Sequence, residues 1–223
     1  DQGVMRYSIV TAGRSLSDGE VDRMCQIIRR IKEEVHISVC VSFGLLKEDQ
    51  FRRLKEAGAE RVHNNLEASE NFFPSVCTSH SFSDKVQAIR AAQAAGLDVC
   101  SGGIMGLGES IEDRIDMALS LRDLGIESIP VNMLNPIPGT PMEKYESLTV
   151  KEMQRIIAVY RFILPKAFIR LAGGRGLMDD KGKACFQSGA NATISGDMLT
   201  TAGITVKKDL RLLEELDYRI KPL

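Results

Sequence analysis

The sequence lacks the short motifs of several large enzyme classes. It contains no HExxH, no GxSxG, no Walker motif and no CxxC. Its three histidines, His36, His63 and His80, are not paired at the spacing that metal ligands take. These absences argue against zinc hydrolases and serine hydrolases.

The sequence also lacks an excess of charge of either sign and any long hydrophobic run. The formal net charge is −1, and acidic and basic residues are interspersed. This charge balance gives no electrostatic case for a nucleic acid or an anionic membrane as a partner. No apolar stretch approaches the ~20 residues of a membrane span, and no signal-peptide pattern opens the chain. We therefore expect a cytoplasmic protein that binds neither nucleic acid nor membrane.

The length and composition are those of one ordinary globular domain. The chain has 223 residues, of which 43% are hydrophobic and 26% are charged. We predict a single domain over residues 1–223, with a tail from about 172 that is irregular and then helical. The first strand begins within a few residues of Asp1. This abrupt start leads us to expect a fragment of a longer protein.

Five cysteines are spread along the chain too widely for a small disulfide scaffold. In a reducing compartment a cysteine is a buried hydrophobe, a nucleophile or a metal ligand. Cys25 lies on the apolar face of the first predicted helix, so we interpret it as core. The role of Cys185 is undecided, with a structural role favoured. Cys40, Cys77 and Cys100 are the remaining candidates for chemistry.

Strand and helix signals alternate along the chain with short linkers. A capping box at Ser17–Glu20 opens the first helix. Six strand–helix repeats of this kind predict a parallel sheet with right-handed crossovers. The predicted strands are 6–11, 36–42, 61–67, 97–104, 128–134 and 167–171; the later helices are about 47–57, 82–95, 110–124, 149–163 and 206–216.

The predicted strands carry polar or thiol side chains on alternate positions. Residues i and i+2 of a strand share a face, so Ser38, Cys40 and Ser42 lie opposite Val39 and Val41. A doubly wound sheet would have near-continuous apolar strands instead. The pattern favours a (β/α)8 barrel whose lumen is a reaction chamber. Eight strands are needed for closure, so we expect the barrel to be incomplete here, with its first strands before residue 1.

The thiols in this lumen suggest iron–sulfur ligation. A lone inward cysteine is more often a core residue, but Cys40 and Cys100 lie on separate strands beside polar neighbours. Cys77 lies in a loop at the carboxyl end of a strand, where barrel sites form. Arg170 has two interpretations, a buried salt bridge with Glu67 or a cluster ligand or anion clamp.

Amides, a carboxylate and glycines complete the candidate site. Asn65 and Asn132 suit a ligand with ureido or amide edges, and Glu67 suits paired ribose hydroxyls. Structural hydrogen bonding is the alternative for each of the three. The glycine-rich segment 102–108 leaves a strand and enters a helix, which allows close approach of a ligand to the backbone. That segment alone is not specific.

Taken together, four segments of the sequence resemble the biotin synthase family of radical S-adenosylmethionine enzymes. The likeness runs from Arg6 to about Gly196. The combination is specific, although each segment alone is not. The segments are 99–109, 64–69, 131–134 with 139–141, and 169–175.

The resemblance implies insertion of sulfur into dethiobiotin. In the family, a [4Fe–4S] cluster cleaves S-adenosylmethionine to a 5′-deoxyadenosyl radical, and an auxiliary iron–sulfur cluster donates the sulfur. The resemblance also implies an electron donor such as flavodoxin or ferredoxin, and a homodimer. By the family's pattern, the auxiliary cluster is bound by Cys40, Cys100 and Arg170; substrate and cofactor are contacted by Asn65 and Asn132; the ribose is held by Glu67; and the adenosyl part lies along Ile104, Gly106 and Glu109.

Three departures from the family's best-known form affect these expectations. The CxxxCxxC motif of the [4Fe–4S] cluster is absent, so we expect its ligands before residue 1 and an inactive fragment. Ser8 stands where that form has a third auxiliary cysteine, and Cys77 is the candidate to replace it. Lys85 stands where that form has an arginine that contacts the cofactor carboxylate, so the charge is kept and the bidentate fork is lost.

Two alternatives remain open from the sequence. One is another radical enzyme of the same barrel group, such as a hydrogenase-cofactor maturase or a methylornithine synthase. The other is a cluster-free barrel that binds a small ligand and packs its cysteines as core. Iron and sulfide analysis with a visible absorption spectrum separates a cluster protein from a cluster-free one.

Overall fold

The structure is a computed structural model that describes residues 5–196 and 203–221. It divides into two compact units, one formed by residues 1–66 and 77–101 and the other by residues 67–76 and 102–223. The single domain expected over 1–223 stays a prediction. The elements in chain order are β1 Arg6–Val10, α1 Asp18–Glu34, β2 Ser38–Ser42, α2 Glu48–Glu56, β3 Arg61–His63, α3 Phe73–Val76, α4 Phe82–Ala94, β4 Asp98–Cys100, β5 Gly103–Met105, α5 Ile111–Asp123, β6 Ser128–Met133, α6 Val150–Ile163, β7 Phe168–Leu171, α7 Lys183–Gln187, β8 Ala192–Thr193 and α8 Val206–Glu215.

The first unit is a sheet of four parallel strands, in the order β1-β2-β3-β4. On β2 the alternation of side chains is the predicted one: Val39 and Val41 are buried, and Ser38 and Ser42 are half-buried on the opposite face. Helices α1, α2 and α4 connect the strands and bury apolar side chains such as Ile28, Leu54 and Ile89. Burial of such apolar area is the main stabilising contribution to the unit.

The second unit also contains parallel strands, in the order β5-β6-β7-β8. Its core includes the fully buried side chains of Ile129, Ile157 and Ile169. Helices α5 and α6 each begin at a capping box, at Ser110 and Thr149 respectively. In each box the hydroxyl accepts a hydrogen bond from a backbone N–H of the first turn, which fixes where the helix starts.

The predicted helices agree with the observed ones within one or two residues at each end, but two strand predictions were wrong in extent. The strand expected over 61–67 ends at His63, and Glu67 takes a left-handed backbone with φ of 70°. The strand expected over 97–104 is two strands, β4 and β5. An apolar residue recurs beyond each break, Leu66 after the first and Ile104 after the second, so the pattern alone did not reveal where the strands end.

The tail that was expected to be irregular from 172 contains short elements. A 3-10 helix covers Arg175–Leu177, and α7 and β8 follow it. Strand β8 pairs in parallel with β7. Two residues are too few to show a periodic pattern, so β8 could be found only from its pairing partner.

Candidate functional site

Two buried cysteines lie on the sheet of the first unit. Cys40 on β2 is 4% exposed and Cys100 on β4 is 2% exposed. The strand register aligns Ser8 with Cys40, Cys40 with Arg61, and Arg61 with Asp98. Cys100 lies two residues beyond Asp98 and is aligned with His63. The predicted pair of thiols on separate strands is therefore present.

Cys40 is a buried thiol with polar and charged neighbours. Burial, and then the neighbouring Cys100, raise the pKa of Cys40 to about 11. A hydrogen bond with the Ser8 hydroxyl and the charge of Arg61 act in the opposite direction. Cys40 is consequently a neutral thiol at pH 7, and binding a metal there must release its proton.

Arg61 is aligned with Cys40 on one side and Asp98 on the other, and it was not identified from the sequence. Its side chain is 8% exposed, and its Nη2 lies 3.7 Å from Oδ2 of Asp98. Its Nε and Nη1 are buried without a hydrogen-bond partner. The available signal was its position two residues before His63, on the face that the alternation assigns to polar groups.

Cys77 lies in a different setting, after the turn of helix that contains Phe73. Its Sγ is 3.4 Å from the Ser79 hydroxyl and 3.4 Å from Nδ1 of His80. Burial raises the pKa of Cys77, but hydrogen bonds from Ser79 and the backbone, with the charge of Lys85, outweigh it and lower the pKa overall. Burial, with the charges of Lys85 and Arg14, also lowers the pKa of His80, which favours its neutral imidazole.

Lys85 extends this second cluster of polar groups. Its Nζ donates to Oδ1 of Asn64 at 3.2 Å. Asn64 and the neighbouring Asn65 are both buried, 4% and 8% exposed. The structure thus brings Lys85 close to Cys77, and it places the predicted Asn65 in the same unit.

In the part of the chain that the structure describes, no group of three or more His, Cys, Asp or Glu side chains could hold a metal ion. The assignment of Cys77 to the same cluster as Cys40 stays a prediction.

In the second unit, Arg170 is half-buried on β7. Its Nη2 donates to the Ser128 hydroxyl at 2.8 Å. Both residues lie on strands that pair in parallel, β6 and β7. The Ser128 hydroxyl in the same sheet is therefore one of the groups that position Arg170. Its predicted role as a cluster ligand stays a prediction.

Both ends of the Asn132 side-chain amide form hydrogen bonds with the backbone. Its Nδ2 donates to the Gly103 carbonyl at 3.1 Å, and its Oδ1 accepts from the Gly173 N–H at 2.9 Å. The amide joins β5 to the loop after β7. The structural alternative that the sequence left open is thus realised. One N–H and one lone pair of the amide remain for a ligand.

Glu67 and the glycines of 102–103 form a tight backbone junction. The Glu67 N–H donates to the Gly102 carbonyl, and the Ile104 N–H donates to the Glu67 carbonyl, both at 3.0 Å. A Cβ on Gly102 would lie 1.9 Å from the Pro130 carbonyl oxygen. Close approach of neighbouring backbone is one reason for glycine at these two positions, and the expectation that the segment also admits a ligand stays a prediction.

The rest of the predicted cofactor motif is organised by Glu109. Its Oε1 accepts from the Gly106 N–H at 2.8 Å and from Nε of Arg114 at 2.7 Å. Gly106 has φ of 97°, which favours glycine. Oε2 of Glu109 is buried without a partner. Ile104 is half-buried on β5.

The residues around Cys40 fit an iron–sulfur cluster by the chemistry of their donors. Thiolates are the protein ligands of such clusters, and two buried thiols face the same sheet surface. The unpartnered nitrogens of Arg61 provide hydrogen-bond donors beside them. None of the helices that the structure describes has the length and apolar character of a membrane span.

Two family descriptions match the sequence. "Radical SAM superfamily" matches residues 1–121, and "Biotin and Thiamin Synthesis associated domain" matches residues 130–219. Together they extend over nearly the whole chain.

Curated relatives are similar over 99% of this chain. The chain is 62% identical to a biotin synthase of Brachyspira hyodysenteriae over 221 residues, 66% of that protein. It is 57% identical to biotin synthase 2 of Corynebacterium diphtheriae, covering 67% of it, and 51% identical to a biotin synthase of Clostridium botulinum, covering 69%. The chain spans about two thirds of the length of these relatives.

Solved structures with low sequence identity share the fold. A methylornithine synthase superposes with a TM-score of 0.82 at 21% identity, over 98% of this chain and 69% of that one. The FeFe-hydrogenase maturase of Carboxydothermus hydrogenoformans gives 0.80 at 17%, over 97% and 56%. The likeness, with the parallel strands of both units, confirms the predicted fold class, an α/β barrel of which this chain holds part.

Proposed function

This chain belongs to the biotin synthase family, and from that premise we propose that it forms most of the barrel of an enzyme that inserts sulfur into dethiobiotin by S-adenosylmethionine-dependent radical chemistry. The observation that carries the proposal is the pair of buried thiols, Cys40 and Cys100, on one sheet in a chain of this family. A [4Fe–4S] cluster, with ligands outside this chain, and an auxiliary iron–sulfur cluster would supply the reducing electron and the sulfur atom.

The auxiliary cluster would be held by Cys40, Cys77, Cys100 and Arg170. Cys40 and Cys100 are the better supported members, because they are buried in one sheet with Ser8 beside Cys40. Cys77 is the candidate for the further thiolate, since Ser8 offers only a hydroxyl. Its lowered pKa makes the ligating thiolate form more accessible than in a free cysteine.

By the family's pattern, S-adenosylmethionine would contact Lys85, Glu67 and the segment from Ile104 to Glu109. Lys85, already beside Asn64, would face the cofactor carboxylate with a single charge. Glu67 would hold the ribose, and Asn65 and Asn132 would orient substrate and cofactor. The adenosyl part would lie along Ile104, Gly106 and Glu109, where the Glu109 carboxylate already binds the Gly106 N–H and fixes the turn.

The partners and compartment follow from the same assignment. Dethiobiotin would be the substrate, and a small electron carrier such as flavodoxin or ferredoxin would be the reductant. We also propose a homodimer in the cytoplasm. The charge balance and composition of the chain are compatible with these assignments.

The test removes the thiols one at a time in the protein purified anaerobically with its clusters. Cys40→Ala and Cys100→Ala should each lose the iron, the sulfide and the visible absorption of the auxiliary cluster, and biotin formation with them. Cys77→Ala should do the same if Cys77 is a ligand. Cys25→Ala is the matched control, because Cys25 is equally buried on α1.

The outcomes separate the alternatives. Unchanged iron and sulfide in both Cys40→Ala and Cys100→Ala would contradict an auxiliary cluster at this pair. A wild-type protein that carries no cluster and still binds a small ligand would indicate a cluster-free barrel. Unchanged absorption in Cys77→Ala alone would remove that residue from the ligand set and leave Ser8 or an exogenous ligand as candidates.

A further inference from the structure

Arg61 is a buried cation in the sheet of the first unit. Only 8% of its side chain is exposed, and its charge faces the interior from the short strand β3. A buried guanidinium is costly unless it is paired and hydrogen-bonded. Its ionic contact is Nη2 with Asp98 Oδ2, at 3.7 Å. The Asp98 side chain is 71% exposed, so water screens this long contact and it contributes little.

Two of the three guanidinium nitrogens therefore have no acceptor. Nε and Nη1 of Arg61 are buried and make no hydrogen bond. Leaving a charged buried donor unsatisfied costs more free energy than leaving a neutral one unsatisfied. A fork of this geometry fits an anion with more than one lone pair. Arg61 thus has the burial, charge and unpartnered donors of a residue that binds an anionic ligand.

The register shows where that anion would lie. Arg61 is the direct neighbour of Cys40 across the β2–β3 ladder, and the two residues point to the same face of the sheet. Adjacent strands are about 4.8 Å apart, so the stem of Arg61 reaches readily past the Cys40 sulfur. The next strand places Cys100 one step further along the same face.

We propose that Arg61 donates hydrogen bonds, through Nε and Nη1, to the anionic sulfur of an iron–sulfur cluster bound by Cys40 and Cys100. The inference rests on the proposed function and adds to it a residue that tunes the cluster without ligating it. Thiolate and sulfide are negatively charged acceptors, and they would provide the partners that Nε and Nη1 of Arg61 lack. The cation in turn favours the reduced, more negative state of the cluster.

The experiment measures the reduction midpoint of the auxiliary cluster in the complete, anaerobically purified protein. Arg61→Met removes the charge and keeps most of the length, and Arg61→Lys keeps the charge and loses the fork. Arg52→Met is the control, because Arg52 is an exposed arginine on α2 that pairs with Glu48. Cys40→Ala identifies which part of the absorption belongs to this cluster.

Loss of the cation should shift the one-electron reduction equilibrium of the cluster about tenfold toward the oxidised form. A tenfold change corresponds to a midpoint lowered by about 59 mV. Arg61→Lys should shift it by less, and Arg52→Met should leave it unchanged. If Arg61→Met loses iron but keeps its melting temperature while Arg61→Lys retains iron, the result also supports the proposal.

Other outcomes overturn it. An unchanged midpoint in Arg61→Met with full iron content would contradict the contact. An unchanged midpoint with weaker dethiobiotin binding would assign Arg61 to the substrate carboxylate instead. Unfolding of both variants would assign it a structural role. Each of these results leaves the proposed function intact, which fails separately if the wild-type protein holds no cluster at Cys40 and Cys100.

Discussion

At the scale of the residue, Asn132 combines a structural role with a position in the proposed site. Its Nδ2 donates to the Gly103 carbonyl, and its Oδ1 accepts from the Gly173 N–H. Asn132→Asp keeps the acceptor for Gly173 and sets a carboxylate oxygen against the Gly103 carbonyl. We expect a loss of about 1–3 kcal/mol in the free energy of unfolding, measured by urea denaturation at pH 7.

The exposed Asn71→Asp is the control for Asn132→Asp, since Asn71 lies at the surface before α3. It should change stability by less than about 0.5 kcal/mol. Asn132→Asp should also reduce biotin formation while iron and sulfide stay bound, because the residue positions ligands without binding metal. Equal stability of the two variants would show that the amide bridge contributes nothing to the second unit.

At the scale of the element, the start of α5 carries a pH-dependent contribution to stability. Asp113 accepts hydrogen bonds from the Ser69 hydroxyl at 2.6 Å and from the Ser110 backbone N–H at 3.0 Å. These hydrogen bonds, the one from Ser69 first, lower the pKa of Asp113 below its usual value. A lowered folded-state pKa gives stability that is present above the unfolded-state pKa and is lost as the pH falls through the folded-state pKa.

Asp113→Asn should therefore lower the melting temperature at pH 7 and have little effect once the pH lies below the folded-state pKa. The expected cost at pH 7 is about 0.5–1 kcal/mol, because Asp113 is half-exposed near a helix N-terminus. Thermal unfolding between pH 2 and pH 7 measures the difference. Glu112→Gln is the matched control in the same turn. An Asp113→Asn effect that does not vary with pH would contradict the assignment.

At the scale of the whole molecule, a buried ion pair fixes the last helix to its unit. Nη2 of Arg175 donates to both carboxylate oxygens of Asp209, at 2.7 and 2.6 Å, and both side chains are almost fully buried. The Ser195 hydroxyl also contacts Asp209. Asp209 is the buried residue of α8, so the attachment of this helix depends on a charge.

Asp209→Asn should leave Arg175 buried without its counter-ion and destabilise the second unit by about 3–5 kcal/mol. The measurement is urea unfolding together with the rate of proteolysis within α8. Glu215→Gln is the control, because Glu215 pairs with Lys183 at 3.4 Å with both side chains exposed, and it should cost at most about 1 kcal/mol. Similar losses in the two variants would contradict a special role for the buried pair.

Much of the fold could be predicted because it depends on local chemistry. The capping box at Ser17 marks a helix start in the sequence, and the structure has α1 there. The structure shows the same local arrangement at Ser81, Ser110 and Thr149. The alternation on β2 likewise predicted that Cys40 lies opposite Val39 and Val41. Both signals are carried by residues a few positions apart, so no distant partner is needed to read them.

The sequence by itself determined the fold class, the approximate bounds of α2, α4, α5, α6 and α8, and the placement of Cys40 and Cys100 on separate strands. Only the tertiary structure decided how partners distant in sequence use their groups: the unpartnered Arg61 beside Cys40, the backbone bridge of Asn132, and the close approach that requires Gly102. Propensity and periodicity act over a single turn or strand. Pairing register, close backbone contacts and buried charge depend on which segments fold against each other, and no local pattern encodes that.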